Sequence, residues 1–149
     1  YLYNFRGANR RYQILYDKSI KIIDDYAHHP TEITATINAA KKIETGKITV
    51  VFQPHRYSRT NFFLNEFAES LKLADEVYLL PIYSAEEENI YNISSEKLAE
   101  LIGGNTRVYS EEEISDRVLN DNSSENVYLF MGAGSISRIA NTIKNKLPL

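Results

Sequence analysis

Two segments of this chain contain all three of its histidines, together with carboxylates and arginines. They are residues 24–30 (DDYAHHP) and residues 53–60 (QPHRYSRT), and each follows a predicted β-strand. Ligands of open α/β sheets bind beyond the carboxyl ends of the strands, often where the strand order reverses. We therefore expect the two segments to meet in one binding site.

The second segment carries two arginines suited to an anion. Arg56 and Arg59 are three residues apart, so they share a face if a helix has begun there. The guanidinium fork matches carboxylate and phosphate groups, and a helix N-terminus beside it adds partial positive charge. We favour an anion pocket over two solvated arginines or salt bridges to Asp24 and Asp25.

The first segment opens with two adjacent carboxylates. For one of Asp24 and Asp25, capping the helix that begins near Pro30 and binding a ligand are equally good interpretations. For the other, a ligand role such as accepting hydrogen bonds from ribose hydroxyls is favoured.

The histidines and tyrosines of the two segments also have alternative roles. His28 and His29 could ligate a metal, but adjacent histidines rarely face the same point. Hydrogen bonding to a bound anion or a neighbouring loop is therefore favoured over a zinc site. Tyr26 and Tyr57 are either packing aromatics or rings that stack on a nucleotide base.

A glycine-rich stretch, residues 132–137 (GAGSIS), follows a predicted strand and opens a helix. That is the context of a dinucleotide-binding fingerprint, but Ser137 replaces the third glycine and the chain stops at Leu149, before the expected acid. We expect a tight strand-to-helix turn instead. A triphosphate-binding loop is not indicated either, because Gly46-Lys47 continues into a strand. The acidic run Glu86-Glu87-Glu88 is expected to be a solvated loop.

Hydrophobic periodicity predicts strands that alternate with helices. This order indicates one α/β domain: a three-layer, Rossmann-like fold with a mainly parallel sheet of about six strands and an antiparallel N-terminal hairpin strand. The predicted strands are 11–15, 20–24, 47–53, 76–81, 106–109 and 126–131. The predicted helices run from Pro30 to before Gly46, over 61–73, from Ser94 or Ser95 to Ile102, over 111–119 and over 135–147.

Composition sets further limits. The chain has 149 residues, a net charge of −3 and no cysteine, which excludes disulfides, thiolate catalysis and Cys-ligated zinc. The mild acidity argues against a nucleic-acid or membrane-surface binder. No apolar run approaches the roughly 18 residues of a membrane helix, and no signal peptide is visible, which is compatible with the cytoplasm. The absence of an initiator methionine before Tyr1 suggests a piece of a longer protein.

Residues 24–33 (DDYAHHPTEI) and 51–60 (VFQPHRYSRT) resemble the UDP-N-acetylmuramate–L-alanine ligases, which add the first amino acid in bacterial peptidoglycan synthesis. The resemblance extends in order to residues 5–7 (FRG) with Arg10-Arg11, to 74–77 (ADEV), to Ile82-Tyr83 and to 131–134 (MGAG). It implies that residues 1–149 form the C-terminal domain of a three-domain cytoplasmic enzyme. The UDP-sugar-binding domain and the central ATPase domain would be absent from this chain.

The resemblance also implies a reaction. The family activates the muramate carboxylate with ATP and Mg²⁺ as an acyl phosphate, which the amine of L-alanine attacks to give the amide, ADP and phosphate. Asp25 would hold the ATP ribose and Tyr26 would lie close to the nucleotide. Mg²⁺ would be bound mainly by the missing central domain, no metal ligand is expected in this chain, and the isolated domain is expected to be inactive.

By the same resemblance, His28 and His55, with Arg56 and Arg59, would line the pocket for the carboxylate of L-alanine and for the developing charge. Fixed donors would stabilise the transition state electrostatically, without covalent catalysis. Two departures stand out: Ser135 replaces an Asp that the family commonly has, and Pro81-Ile82 stands where an Asp often begins the stretch before Tyr83.

Two other functions are compatible with parts of the sequence. A stand-alone α/β module could bind a nucleotide or anion in the same cleft without catalysis. A nicotinamide-dependent oxidoreductase would be supported by the glycine turn alone.

Overall fold

The computed structural model describes residues 10–123 and 125–149, so the Phe5-Arg6-Gly7 motif lies outside the described residues. The strands are β1 (Gln13–Asp17), β2 (Lys21–Asp25), β3 (Ile48–Phe52), β4 (Glu76–Leu79), β5 (Arg107–Val108) and β6 (Val127–Met131). The helices are α1 (Pro30–Ile43), α2 (Tyr57–Phe62), α3 (Leu64–Leu71), α4 (Ser95–Ile102), α5 (Glu111–Leu119) and α6 (Ile136–Asn145).

The six strands form one sheet in the order β1-β2-β6-β3-β4-β5. β1 pairs antiparallel with β2, and every other neighbouring pair is parallel. The predicted fold class is therefore confirmed. The chain passes from β2 to β3 and returns later to place β6 between them, so the carboxyl ends of β2, β6 and β3 lie side by side.

The sheet is covered on both faces, as its sequence requires. All five residues of β3 (ITVVF) and of β6 (VYLFM) are buried, because parallel strands between helices are apolar on both faces. One core packs Ile23, Val50 and Leu129 against α1, α3 and α4. The other packs Ile22, Val51 and Phe130 against α5 and α6. Each fully buried side chain of this size contributes roughly 1.5–3 kcal/mol relative to exposure.

Helix α1 begins at the predicted Pro30, but its cap is a histidine. The side chain of His29 accepts a hydrogen bond at the helix N-terminus, and the Glu32 carboxylate accepts from the His29 main chain, which completes a capping box. The interpretation of Asp24 or Asp25 as the cap is therefore wrong. Helix α1 therefore starts directly after the first histidine segment, and His29 of that segment is its N-cap.

Gly46 was expected to end α1, but the helix ends at Ile43 with Glu44 as its C-cap. The glycine has a different function. A Cβ built at Gly46 would lie 1.7 Å from the carbonyl oxygen of Glu125, so a side chain at Gly46 would clash with the backbone that leads into β6.

The predicted helix over residues 61–73 is two helices, and it starts earlier. α2 begins at Tyr57, and Phe63 (φ −105°, ψ 22°) separates it from α3. The earlier start places Arg59 inside the first turn of α2 and makes Arg56 its N-cap residue.

Within the described residues, none of the helices is both long and apolar enough to cross a bilayer.

Candidate functional site

Three loops meet at the carboxyl edge of the sheet. The two histidine segments follow β2 and β3, and the glycine turn of residues 132–135 follows β6, which lies between those strands. We call the side chains Tyr26, His28, His55, Arg56, Arg59 and Tyr83 the strand-end cluster. Tyr83 comes from the loop after β4, and the other five side chains come from the two histidine segments. The glycine turn, expected to be only a tight turn, lies between those two segments.

Asp24 lies buried beneath this region and connects β2 to Arg10 and to helix α6. It is 1% exposed and accepts two hydrogen bonds from the Arg10 guanidinium, at 3.0 and 3.2 Å. The hydroxyl of Ser137 donates to the same carboxylate at 2.7 Å. Arg10 also donates to the carbonyl oxygen of Gly132 at 3.1 Å. Asp24 therefore pairs with Arg10, and not with Arg56 or Arg59.

Asp25 is equally buried, at 2% exposure. One oxygen accepts from the main-chain N–H of Tyr12 at 2.7 Å and the other from that of Ala27 at 2.8 Å. Burial raises the pKa of Asp25, while these two N–H groups act in the opposite direction. Asp25 thus holds the turn that leads from β2 to Tyr26.

Tyr26 is exposed at the carboxyl edge of the sheet. Its main-chain N–H donates to the Arg10 carbonyl at 2.7 Å, and the Arg10 guanidinium lies 5.0 Å from its ring centroid. The residue remains 40% exposed. An aromatic ring held in place and open to solvent is suited to stacking on a planar ligand.

His28 and His29 make different contacts. The Nδ1 of His28 lies 2.9 Å from the Tyr26 carbonyl oxygen, and its ring meets the Tyr26 ring edge-on. His29 caps α1 and packs its ring against Phe63, 4.9 Å away. Over residues 10–123 and 125–149, no group of three or more His, Asp or Glu side chains is arranged to hold a metal ion.

His55, in the segment after β3, contacts the loop after β4. Its ring stacks on that of Tyr83, with centroids 5.3 Å apart. Burial lowers the pKa of His55, and the positive charges of Arg56 and Arg59 lower it further. The strand order β2-β6-β3 brings the segments after β2 and β3 to one edge of the sheet, and the His29 ring contacts Phe63, just beyond the second segment.

Arg56 has a strained backbone. Its φ of 77° and ψ of 138° lie in a region that non-glycine residues rarely adopt, at a cost of about 1–3 kcal/mol. The strain is held by the main chain: the N–H of Arg56 donates to the Tyr83 carbonyl at 2.7 Å. The hydroxyl of the buried Thr60 donates to the Arg56 carbonyl at 2.8 Å.

The N-terminus of α2 already holds an anion. The carboxylate of Glu87 accepts from both the main-chain N–H and the hydroxyl of Ser58, and these bonds lower the pKa of Glu87. The interpretation of Glu86-Glu87-Glu88 as only a solvated loop is therefore wrong for Glu87. A ligand anion would meet the side chains of Arg56 and Arg59, and not the helix end.

The two arginines differ in their partners. Arg56 is 48% exposed and has one nitrogen 3.7 Å from Glu87. Among the residues that the structure describes, the arginine ion pairs involve Arg10, Arg11, Arg56 and Arg138, and Arg59 takes part in none. The Arg59 guanidinium therefore keeps its donors available for a ligand carboxylate.

The glycine turn is fixed by Gln53. Its side-chain oxygen accepts from the main-chain N–H of Ser135 at 3.2 Å and from the Ser135 hydroxyl at 3.1 Å. A Cβ at Gly134 would lie 3.0 Å from the same oxygen and 3.3 Å from Tyr83. The tight turn is confirmed, and Ser135 supplies a hydroxyl donor that an ionised Asp would lack.

The sequence interpretation missed Arg10, Gln53, Tyr83 and Glu87 as supports of the site. Arg10, Gln53 and Tyr83 fall within the motifs that carried the family resemblance, which was the available signal. Together the described groups form an open edge with guanidinium and imidazole donors and an exposed aromatic ring. Such an edge can bind a small anion beside a planar ligand and stabilise negative charge as it develops.

Comparison with known proteins identifies relatives of the whole region. Residues 10–134 match the family profile described as Mur ligase, glutamate ligase domain. A UDP-N-acetylmuramate–L-alanine ligase of Fusobacterium nucleatum is 45% identical over 98% of this chain and 34% of its own length. The chain thus spans about a third of the length of the curated relatives that it matches.

Solved structures give the same result. The UDP-N-acetylmuramate–alanine ligase of Thermotoga maritima is 29% identical with a TM-score of 0.72, covering 92% of this chain and 29% of its own. A domain of a Haemophilus ducreyi UDP-N-acetylmuramate:L-alanyl-γ-D-glutamyl-meso-diaminopimelate ligase is 24% identical with a TM-score of 0.67. The match covers 93% of this chain and 100% of that domain, which shares the fold.

Proposed function

Because the chain belongs to the Mur ligase family as its glutamate ligase domain, we propose that it is the C-terminal domain of a UDP-N-acetylmuramate–L-alanine ligase. The whole enzyme would join L-alanine to UDP-N-acetylmuramate with ATP, through an acyl phosphate, in the cytoplasmic stage of peptidoglycan synthesis. The observation that carries the proposal is the 45% identity to such a ligase over 98% of the chain. The donor-rich strand-end cluster supports it with matching chemistry.

The length of the relatives defines what this chain would lack. They are about three times as long, and we assign the remainder to a UDP-sugar-binding domain and a central ATPase domain. The strand-end cluster is an open edge, as expected if a second domain completes the site. Residues 1–149 would then be folded but inactive by themselves.

In this proposal, Arg59 and Arg56 bind the carboxylate of L-alanine. A guanidinium offers two parallel N–H donors to a carboxylate, and Arg59 forms no ion pair with a described acid. Holding the carboxylate fixes the position of the amine in the same small molecule. The amine is thereby oriented when the substrate binds, so less entropy is lost in the attack on the activated carbonyl carbon.

His55 and His28 would act on the charge that the attack creates. As the amine adds, negative charge grows on the former carbonyl oxygen and must meet preorganised donors. The lowered pKa of His55 keeps its imidazole neutral near pH 7. A neutral ring still donates one N–H, and it avoids a further positive charge beside Arg56 and Arg59.

The segment after β2 would meet the nucleotide. ATP supplies the phosphoryl group that activates the muramate carboxylate. Tyr26 offers an exposed ring for the nucleotide, and Asp25 would accept from a ribose hydroxyl. Each Asp25 oxygen already takes one main-chain hydrogen bond, so the ribose contact would use the remaining lone pairs.

We assign Mg²⁺ to the central domain, which would hold the phosphates of ATP. Mg²⁺ is bound through one or two carboxylates together with waters and substrate phosphates, and among residues 10–123 and 125–149 no group of three acidic or imidazole side chains forms a metal site.

The test is an assay of the full-length protein with UDP-N-acetylmuramate, L-alanine, ATP and Mg²⁺. Phosphate release and a product heavier by one alanine residue are expected only when all components are present. Absence of that product would overturn the proposal. Product formed by residues 1–149 alone would overturn the assignment of the missing domains.

A further inference from the structure

Glu87 reaches from the loop after β4 to the start of α2. Its two oxygens bind the main-chain N–H and the hydroxyl of Ser58. One of them also lies 3.7 Å from the guanidinium of Arg56. A carboxylate at this place satisfies a free N–H group of the helix and complements its partial positive charge.

The same loop holds Arg56 through its main chain. The carbonyl of Tyr83 accepts from the Arg56 N–H at 2.7 Å, and the Tyr83 N–H donates to the Pro54 carbonyl at 2.9 Å. Arg56 is a non-glycine residue at φ 77°, and Ala85 and Glu86 are also at positive φ, 51° and 70°. Strained residues on both sides of a contact persist only where the surrounding bonds fix them.

This loop therefore contacts the arginine segment through two residues: Tyr83 binds Pro54 and Arg56, and Glu87 binds Ser58 and lies beside Arg56. Without Glu87, the first turn of α2 loses one anchor, and the strained Arg56 is held only by its bonds to Tyr83 and Thr60. A shift of this turn would redirect the Arg56 side chain and move Arg59, three residues further on. His55, stacked on Tyr83, would stay with the loop, so the arginines and the imidazole would lose their common arrangement.

We propose that Glu87 is a positioning residue for the substrate carboxylate site: by binding Ser58 it fixes Arg56 and the first turn of α2 in the orientation that receives L-alanine. The inference rests on the proposed function, because it assigns L-alanine to Arg56 and Arg59. It adds Glu87, a residue of the loop after β4 that contacts the arginine segment and not the ligand.

The test uses the full-length enzyme with Glu87→Ala, Glu87→Gln and Ser58→Ala. Glu88→Gln is the matched control, because it removes a neighbouring charge from an exposed side chain of the same acidic run. KM is measured separately for L-alanine, ATP and UDP-N-acetylmuramate, and the unfolding temperature is recorded for each variant.

Glu87→Ala is expected to raise KM for L-alanine about tenfold, with the other two KM values within about twofold. Glu87→Gln keeps one acceptor oxygen and should have a smaller effect. Because Ser58→Ala removes the hydroxyl half of the same contact, the double variant Ser58→Ala/Glu87→Ala should fall short of the product of the single effects. Unfolding temperatures should agree within about 2 °C.

The inference would be overturned if Glu87→Ala left the KM for L-alanine unchanged or decreased it. If kcat and the unfolding temperature also fell while that KM stayed unchanged, the role of Glu87 would be structural only. If Glu87→Ala does not fold, Glu87→Gln and Ser58→Ala decide the matter by the same criteria. A wild-type enzyme and a Glu88→Gln control without L-alanine ligase activity would refute the proposed function instead, so the two failures are distinguishable.

Discussion

Arg10 and Asp24 form a two-point ion pair beneath the candidate site, with N···O distances of 3.0 and 3.2 Å. Arg10 precedes β1 and Asp24 lies in β2, and the same guanidinium reaches the carbonyl of Gly132 after β6. The pair therefore joins the N-terminal hairpin to the glycine turn. It also supports Tyr26, since the Arg10 guanidinium packs against the Tyr26 ring.

Replacing Asp24 by Ala should destabilise the domain strongly. Removing one partner of a buried ion pair leaves the other without compensation and costs about 3–5 kcal/mol. Because the Arg10 side chain is 23% exposed, water solvates part of its uncompensated charge. We therefore expect the free energy of unfolding to fall by about 2–3 kcal/mol.

Urea unfolding of the 149-residue chain measures this loss. Asp17→Ala is the control, because its carboxylate is exposed and lies 3.8 Å from Lys21; a change under about 0.5 kcal/mol is expected there. Equal effects of the two substitutions would contradict the role of Asp24.

Gly46→Ala should be more damaging than Gly104→Ala. The added Cβ at Gly46 would lie 1.7 Å from the Glu125 carbonyl oxygen, so the strand that leads to the site must shift, at a cost of about 2–4 kcal/mol. Gly104 has a φ of 62° and open space around it, so only backbone strain of about 1 kcal/mol applies. Urea unfolding compares them, and a larger loss for Gly104→Ala would refute the close approach at Gly46.

Asp121 should make stability fall in acid. Burial would raise the pKa of Asp121, but hydrogen bonds from Tyr128, Ser123 and Asn126 hold it at about 2. The ordinary value is 3.8, so the ionised group stabilises the fold above about pH 4, and this is lost as pH falls toward 2. The contribution is about 1–2 kcal/mol.

The measurement is the free energy of unfolding of the 149-residue chain between about pH 5 and pH 2. Asp121→Asn should reduce the slope over that range. The exposed Asp116→Asn, which lies in α5, should leave the slope unchanged. An identical slope for wild type and Asp121→Asn would show that Asp121 does not contribute.

His55 should titrate below its ordinary value of 6.5. Burial disfavours the charged ring, and the charges of Arg56 and Arg59 act in the same direction. NMR titration of the His55 ring in the 149-residue chain should give a pKa below 6.5, and Arg59→Ala should raise it. A value above 6.5, or no response to Arg59→Ala, would place His55 away from the arginines.

The local elements could be predicted because their signals are local. The bounds of α5 and the start of α1 at Pro30 follow from acids in the first turn and from proline at the first helical position. The alternation of strands and helices also predicted a mainly parallel sheet with one antiparallel strand.

The remaining features depend on contacts between distant residues. Periodicity does not encode strand order, so the insertion of β6 between β2 and β3 could not be read from it. The bond from Ser137 to Asp24 spans 113 residues, and that from Ser58 to Glu87 spans 29. Glu86, Glu87 and Glu88 look alike in sequence, and only the fold brings Glu87 to the start of α2.

The central claim is that the strand-end cluster binds the amino-acid substrate, and Arg59 tests it most directly. Arg59→Ala in the full-length enzyme removes a charge-assisted contact worth about 1.5–3 kcal/mol. Arg107→Ala, an exposed arginine of β5, is the control.

The measurement is the initial rate of amide formation as L-alanine is varied at saturating ATP and UDP-N-acetylmuramate. The account predicts that Arg59→Ala raises KM for L-alanine by about tenfold or more, while the KM values for the other two substrates and the Arg107→Ala control stay near wild type. An Arg59→Ala enzyme with unchanged KM for L-alanine and unchanged kcat would contradict it.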